Sequence, residues 1–346
     1  YNSFMKSVSV IMATLNSEKT LGRCLKSVRG QNYDQSKIEI LCADGGSTDQ
    51  THKIIKKYQG TVVPENSGSP EGAKSFALKK AKNEIILEVD DDNVLPNKNW
   101  LTRMVSYFDK EPKITGVYPR RYRHRRSDKP LNRYFSLFGV NDPVAYFLGR
   151  ADRQSYHSSE WKLAGDAEDK GDYFLVRFNR DNLPTVGANG FLIKRELLLK
   201  AKVDPKHFFH IDVNMDLVKK GYCQYAVVKN DIFHISGERF WHFFKKRKKY
   251  MENLYLKDLS FRRYFLYQKD RDRKKIIAYS FYALTLIGPT IESIRGFVKI
   301  PDPAWFLHPI ICFLIFWIYF FSTVNWQTWN YLGTVKKVLK KRRGLF

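Results

Sequence analysis

Apolar positions recur in short, evenly spaced blocks through the first hundred residues. Residues 7–13, SVSVIMA, are apolar and β-branched and predict a buried strand. From Asn16 to Val28 the residues Leu21, Leu25 and Val28 fall at helical spacing. IEILCA (38–43) predicts a second strand, followed by the turn-rich DGGSTDQT. There Ser47 or Thr48 stands where it can cap a helix carrying Ile54, Ile55 and Tyr58. GTVVPE predicts a third strand and EGAKSFALKKA a helix, and NEIILEV a fourth strand ending in Asp90-Asp91-Asp92. The order β-α-β-α-β-α-β with short connections predicts a parallel sheet with helices on both faces. Ligands of such sheets bind beyond the carboxyl ends of the strands. The polar loops 14–18, 44–49 and 90–93 all fall there, so three separate segments converge on one site.

The pattern weakens between 120 and 185. RRYRHRRSDKP predicts an exposed basic loop and SSEWKLAGDAEDKGD a polar one. TVGANGFLIKRELLLKA then reads as a Gly-rich turn, a strand and a helix. HIDVNMDLVKKGY reads as a helical turn ending at Gly221, and QYAVVKNDIFHIS as a pair of strands. RFWHFFKKRKKYMENLYL is aromatic on one side and basic on the other, the pattern of a helix lying on a membrane surface. Two uncharged runs follow. The first, 276–291, is short and broken by Gly288-Pro289, which fits a tilted span, an interfacial segment or a buried helix. The second, Ala304 to Val324, has no formal charge over 21 residues and is long enough to cross a bilayer. KDRDRKK precedes the first run, KKVLKKRR follows the second, and the short RGFVKIPDP joins them. A two-span hairpin would therefore place both basic clusters in the cytoplasm. The other reading is a C-terminal helical subdomain or dimer interface. No internal repeat is apparent.

Composition narrows the class. An apolar fraction of 43% over 346 residues excludes a disordered chain. A net charge of +25 implies an anionic partner: a nucleotide, a nucleic acid or an anionic membrane surface. Cys24, Cys42, Cys223 and Cys312 lie far apart without CxxC spacing, which points to a reducing compartment. No secretory signal is visible, and the residues ahead of Met5 read as a tag remnant.

Three adjacent carboxylates at a strand end repel one another unless they face a cation or its ligands. Oxygen ligands of this kind favour Mg²⁺ or Mn²⁺, which keep waters and bridge substrate phosphates. In an extended segment Asp90 and Asp92 point to one face and Asp91 to the other. A solvated acidic turn before Pro96 is the plainer alternative. In LCADGGSTDQT, Asp44 ends a strand and Gly45-Gly46 allow close approach of a ligand to the backbone. A carboxylate there can accept hydrogen bonds from a nucleobase or ribose; an ordinary turn before a helix cap reads equally well.

Four stretches, VSVIMATLNSEKTLGRCLKSVRGQNY, ILCADGGSTDQT, GAKSFALKKAKNEIILEVDDDNVLPNKNWL and TVGANGFLIKREL, occur in the order and spacing of family 2 glycosyltransferases. The resemblance covers about residues 7–240 and is weak over 120–180. It implies a GT-A fold, an α/β architecture with a mostly parallel sheet, and a nucleotide-sugar donor. DGGSTD and the hydrophobic tail resemble most the members that build bacterial exopolysaccharide and lipopolysaccharide on lipid carriers. By this resemblance Asp44 contacts the donor's base, most often uracil, with Thr14, Asn16 and Gly45 in the same nucleotide pocket. Lys74 falls where a basic or polar residue faces the nucleotide. Asp90 and Asp91 face ribose or sugar, and Asp92 binds the metal that carries the diphosphate. His234 falls at a second metal-ligand position, although a histidine on an apolar strand is more often structural. Asn189 and Gly190 line the sugar and acceptor pocket, and Asp212 falls near the family's acidic base.

The base region departs from the family pattern. Here it reads Ile211-Asp212 with His210 before it, Asp216 is a rival, and the stretch to Gly221 is short. A helix cap is the alternative role for Asp212. The expectation is an inverting, metal-dependent transferase. Its catalytic domain spans 5–240 and a membrane-association region spans 241–346. It would work at the cytoplasmic face of a bacterial inner membrane on a glycan or polyprenyl-linked acceptor, with a homo-oligomer as one option. The rivals are a nucleic-acid-binding protein, for which no RNP, KH or zinc-finger pattern exists, a nucleotidyltransferase, whose Gly-rich signature ATLNSEKT lacks, and an inactive scaffold of the same fold.

Overall fold

Strands β1 (Val8–Thr14), β2 (Ile38–Asp44), β3 (Thr61–Pro64) and β4 (Ile85–Glu88) pair in parallel, in the order β3-β2-β1-β4. They belong to a computed structural model that describes residues 5–236, 239–256 and 261–343. Both faces of β1 and β2 are covered, which is why their sequences are almost continuously apolar. Helix α1 (Leu21–Arg29) buries Leu21, Cys24, Leu25 and Val28, one stripe at helical spacing. Helix α2 (Thr51–Lys57) connects β2 to β3. Helix α3 (Pro70–Lys80) starts cleanly, because the Ser69 hydroxyl accepts from the Gly72 N–H and Pro70 has no N–H to satisfy. The predicted βα repeat is thus present strand for strand.

The rest of the sheet adds strands of mixed direction. Beyond β4 lie β9 (Phe191–Lys194), β6 (Gly116–Tyr122), β10 (Gln224–His234), β8 (Tyr173–Arg177) and β7 (Asp166–Asp169). β9 runs antiparallel to both its neighbours, while β6 and β10 are parallel. A two-residue strand, β5 (Asn93–Val94), pairs antiparallel with the end of β10, setting Asn93 opposite His234. Helices α4 (Trp100–Lys110), α5 (Pro130–Phe138), α6 (Pro143–Phe147), α7 (Arg195–Leu198) and α8 (His210–Lys219) fill the connections.

Three expectations need correcting. QYAVVKNDIFHIS is one long strand, with a register shift between Val228 and Asp231, rather than a strand pair. SSEWKLAGDAEDKGD contains the edge strand β7, whose residues are all exposed; a strand covered on neither face has no apolar signature. RRYRHRR is not wholly a surface loop. Arg120 lies inside β6, donating to Gln154 Oε1 at 3.0 Å and to the carbonyls of Ser158 and Ser159, with its guanidinium over the Phe174 ring.

The chain divides into two units: 5–236 with 263–267, and the remainder. The second unit holds α9 (Phe240–Tyr250), α10 (Lys269–Thr285), α11 (Ile287–Lys299) and α12 (Leu307–Arg343). Met251–Leu256 continues α9 as a π-helical turn. The first uncharged run is two helices, broken at Leu286, which adopts a left-handed conformation with φ 60°. Among the described residues one helical stretch, Pro303–Thr328, is long and apolar enough to cross a membrane. On α10 and α11 a series of large apolar side chains is exposed, including Ile277, Phe281, Ile287, Ile291, Ile294 and Val298. The buried His308 lies 2.9 Å from the Tyr282 hydroxyl and 3.5 Å from Glu292.

Candidate active site

The strand ends of β1 and β2 build the first wall. Thr14 and Asp44 are register partners, and the Thr14 hydroxyl donates to Asp44 Oδ1 at 3.0 Å. The same oxygen accepts from the Ser47 hydroxyl at 2.6 Å. Oδ2 accepts from the N–H groups of Gly46 and Ser47 and lies 2.8 Å from His52 Nε2. Burial works against the charge on Asp44, but these donors outweigh it and hold the carboxyl at about 2. Asn16, at φ 51°, receives the Thr48 N–H on its side-chain oxygen, so the two loops are latched together. Gly45 donates to the Thr14 carbonyl, and a Cβ there would meet Glu65 at 2.9 Å. Asp44 therefore orders the pocket, its lone pairs already engaged within the protein.

The aspartate loop is held from both sides. Thr20 donates to Asp91 Oδ2 at 3.2 Å; burial, with Asp92 and Asp90 adding to it, pushes the Asp91 carboxyl up to about 6. The short β5–β10 ladder, with the Ile235 N–H donating to the Asp92 carbonyl, brings His234 Nε2 to 3.4 Å from Asp92 Oδ2. Burial disfavours the imidazolium, but the Asp92 carboxylate more than offsets this and raises His234 to about 9. Asn93 donates to Asp92 Oδ1 at 3.2 Å and to the Asn189 side chain at 3.1 Å. Asn189 (φ 56°) in turn donates to the Tyr122 hydroxyl, itself bonded to Asp152. The fully buried Arg153 closes this wall by donating to the carbonyls of Ala188 and Asn189. Gly190 (φ 87°) donates to the Glu88 carbonyl, and a Cβ there would run into Ile232 at 2.6 Å. Asp92, His234, Asn189 and Gly190 thus share one rim. Among the described residues no three His, Cys, Asp or Glu side chains converge on a metal position. Asp92 and His234 could together offer two ligands to a cation whose other ligands were phosphate oxygens and water.

Behind the loop lies a buried charge cluster. Lys74, expected to face a nucleotide, is 1% exposed; its Nζ lies 2.9 Å from Asp90 Oδ1 and 3.9 Å from Glu71. Burial opposes its charge, yet Asp90, Glu71 and Glu88 hold it firmly protonated. Glu71 Oε2 is 2.8 Å from His210 Nδ1. Burial would neutralise Glu71, but His210 and Lys74 keep it an anion. Glu88 is fully buried, its Oε2 has no hydrogen-bond partner among the described residues, and burial raises its carboxyl to about 7. Glu71, Glu88 and His210 were not singled out by motif. Glu88 did carry a signal, since it is the one charge in the apolar run IILEV; Glu71 and His210 lie 139 residues apart and carried none.

Asp212 occupies the first turn of α8 and is 1% exposed. Its Oδ1 accepts the backbone N–H groups of Arg263, at 3.1 Å, and Tyr264, at 2.6 Å. Asp216 pairs with the Arg263 guanidinium at 2.9 Å. Both carboxylates thus bind the 263–267 segment.

A mixed sheet with nucleotide-type loops at its carboxyl edge and an acidic cluster beside a histidine defines a GT-A transferase architecture. The chain belongs to glycosyl transferase family 2, whose sequence profile matches residues 9–198, more than half of its length. It is 35% identical over 111 residues to the poly(ribitol-phosphate) beta-N-acetylglucosaminyltransferase TarS of Staphylococcus aureus strain Mu50, spanning 30% of this chain and 19% of that one. It is 36% identical over 97 residues to TarP of strain N315, another poly(ribitol-phosphate) beta-N-acetylglucosaminyltransferase, spanning 26% and 30%. The chain thus matches under a third of the length of either relative. The fold is that of the mannosyltransferase PcManGT from Pyrobaculum calidifontis, solved with GDP-Man and Mn²⁺. The TM-score is 0.51 at 15% identity, over 92% of this chain and 88% of that one.

Proposed function

We propose that this protein is an inverting glycosyltransferase of cell-surface polysaccharide synthesis. It transfers a sugar from a nucleotide-diphosphate donor, UDP-sugar favoured, to a glycan or polyprenyl-linked acceptor. The observation that carries the reading is Asp92 beside His234 at the strand edge, on the same rim as the Asp44 loop, in a family 2 chain. Thr14, Asn16, Asp44 and Gly45 shape the nucleotide side, and Asp90 and Asp91 face the ribose and sugar. Lys74 acts from behind by fixing Asp90. Asp92 and His234 would hold Mg²⁺ or Mn²⁺. The cation, when bound, supplies positive charge to the departing diphosphate. Asn189 and Gly190 line the acceptor side. The acceptor hydroxyl attacks the anomeric carbon opposite the diphosphate, and its proton passes to a base at the start of α8, where the family resemblance points to Asp212.

Residues 5–240 would carry the chemistry and 241–346 the membrane association. The exposed apolar side chains of α10 and α11 and the basic run 245–249 of α9 suit an anionic bilayer surface at the cytoplasmic face. The test is binding and hydrolysis of UDP-, GDP- and dTDP-sugars with Mn²⁺, Mg²⁺ or EDTA, on the wild type and Asp92→Ala. Metal-dependent binding of one donor class, lost in the variant, is expected. A folded wild type that binds no donor would refute the transferase assignment.

A further inference from the structure

The base of the transfer step has to touch the acceptor hydroxyl. Asp212 is almost fully buried and already accepts two backbone N–H groups from the 263–267 segment. Two residues earlier, His210 opens α8 with its side chain 15% exposed. Its Nδ1 lies 2.8 Å from Glu71 Oε2, and Glu71 also receives its backbone N–H at 3.4 Å. The Phe209 ring stacks on the imidazole, centroids 5.0 Å apart, so the ring is oriented as well as tethered. Nε2 makes no hydrogen bond among the described residues. That is the arrangement of an imidazole held by a carboxylate as its Nδ1–H tautomer, with Nε2 left to accept a proton.

The pair stands at the reacting edge of the sheet. Glu71 lies in the first turn of α3, just beyond the carboxyl end of β3, where a helix N-terminus favours an anion. From Glu71 the contacts run to Lys74 and on to Asp90 of the aspartate loop. On the other side, a Cβ at Gly187 would lie 2.9 Å from the His210 carbonyl, two residues before Asn189. His210 therefore sits between the aspartate loop and the loop proposed to line the acceptor pocket.

We propose that His210 is the proton acceptor of the transfer step, with Glu71 as the positioning residue that fixes its tautomer; this rests on the glycosyltransferase reading above. The acceptor O–H gives its proton to Nε2 as the oxygen bonds to the anomeric carbon. The bond from that carbon to the diphosphate oxygen breaks, and the electron pair leaves on the diphosphate. The imidazolium then returns its proton to water. The charged groups facing His210 are Glu71, Lys74 and Glu88. Burial and Lys74 disfavour the imidazolium; Glu71 and Glu88 favour it, and the net effect is a pKa above the ordinary imidazole value. Activity therefore rises with pH through a limb above that value.

The experiment uses the full chain in detergent, with UDP-, GDP- and dTDP-hexoses as probes. Hydrolysis is followed by nucleotide release, and binding of UDP, GDP and dTDP with Mn²⁺ by calorimetry. His210→Gln should bind nucleotide as the wild type does and lose about 10²- to 10⁴-fold in kcat, the range of general-base catalysis. His210→Ala should regain part of its rate with added imidazole. Glu71→Gln should move the acid limb of the pH–rate profile to lower pH, whereas a purely structural Glu71 would lower the rate equally at every pH. Near-wild-type turnover in His210→Gln, with Asp212→Asn inactive, would overturn the proposal and leave the transferase reading standing. An unmoved acid limb in Glu71→Gln would also overturn it, even if His210→Gln fails to fold. A wild type that neither binds nor hydrolyses any probe overturns both readings.

Discussion

Replacing Asp212 by alanine separates a carboxylate that holds the fold from one that only does chemistry. Its Oδ1 accepts two backbone N–H groups, at 2.6 and 3.1 Å, in a site closed to water. Hydrogen bonds to a charged group contribute about 1.5–3 kcal/mol each, so losing both would cost about 3–6 kcal/mol if nothing moved. The freed N–H groups can regain water if the 263–267 segment lifts away, so we take the lower end, about 3 kcal/mol. In a domain of this size that lowers the melting temperature by roughly 6–12 °C. Asp212→Asn keeps an oxygen in place for both donors and loses only the charge, so its cost is nearer 1 kcal/mol, or about 2–4 °C. The assay is scanning calorimetry of the full chain in detergent at pH 7, on the wild type and both variants. If Asp212→Ala melts within about a degree of the wild type, the carboxylate does not anchor the segment and the reasoning fails.

Two further outcomes follow from the buried charges. Lys74→Met removes the ammonium 2.9 Å from Asp90; breaking a buried pair costs about 3–5 kcal/mol, and since Asp90 is about a third exposed we expect about 2–3 kcal/mol. Adding Asp90→Asn should recover part of that loss in a denaturation double-mutant cycle, and strict additivity would contradict the pairing. Its hydrogen bonds hold the Asp44 carboxyl at about 2 in the folded chain, against an ordinary aspartate value of 3.8, which amounts to about 2 kcal/mol. Because the folded value is depressed, that stability is present above pH 4 and is lost as pH falls towards 2. The stability difference between wild type and Asp44→Asn should shrink over that window, and a constant difference would count against the carboxylate's role.

β1, β2 and β4 were legible because each is covered on both faces and so reads as a nearly continuous apolar run, whereas the mostly exposed edge strand β3 was legible only from its β-branched TVV. The convergence of residues 14–18, 44–49 and 90–93 followed from βα connectivity alone. What could not be read was created by pairing across long separations. β5 is two residues long and exists through its register with β10, and this pairing brings His234 to Asp92. Arg120 and Arg153 look like surface charge in sequence, yet they are buried because carbonyl groups and aromatic rings receive their guanidinium groups. The pairing of Lys74 with Asp90 could not be read, since a lone lysine on a helix gives no sign of which charge it will neutralise. The role of Asp212 was hidden because its partners, the N–H groups of Arg263 and Tyr264, are backbone and leave no trace in residue type.

The left-handed residue Leu286 sets a limit on reach. It separates α10 from α11, helices of 17 and 13 residues, about 26 and 20 Å at 1.5 Å per residue. Neither matches the roughly 30 Å of a bilayer's hydrocarbon, whereas the stretch Pro303–Thr328, at 26 residues, exceeds it. Helices of that length, if set into a membrane from one side by their exposed apolar side chains, would occupy a single leaflet. They would then add cross-sectional area to that leaflet and none to its opposite, which would couple such insertion to lateral pressure and curvature rather than to membrane thickness.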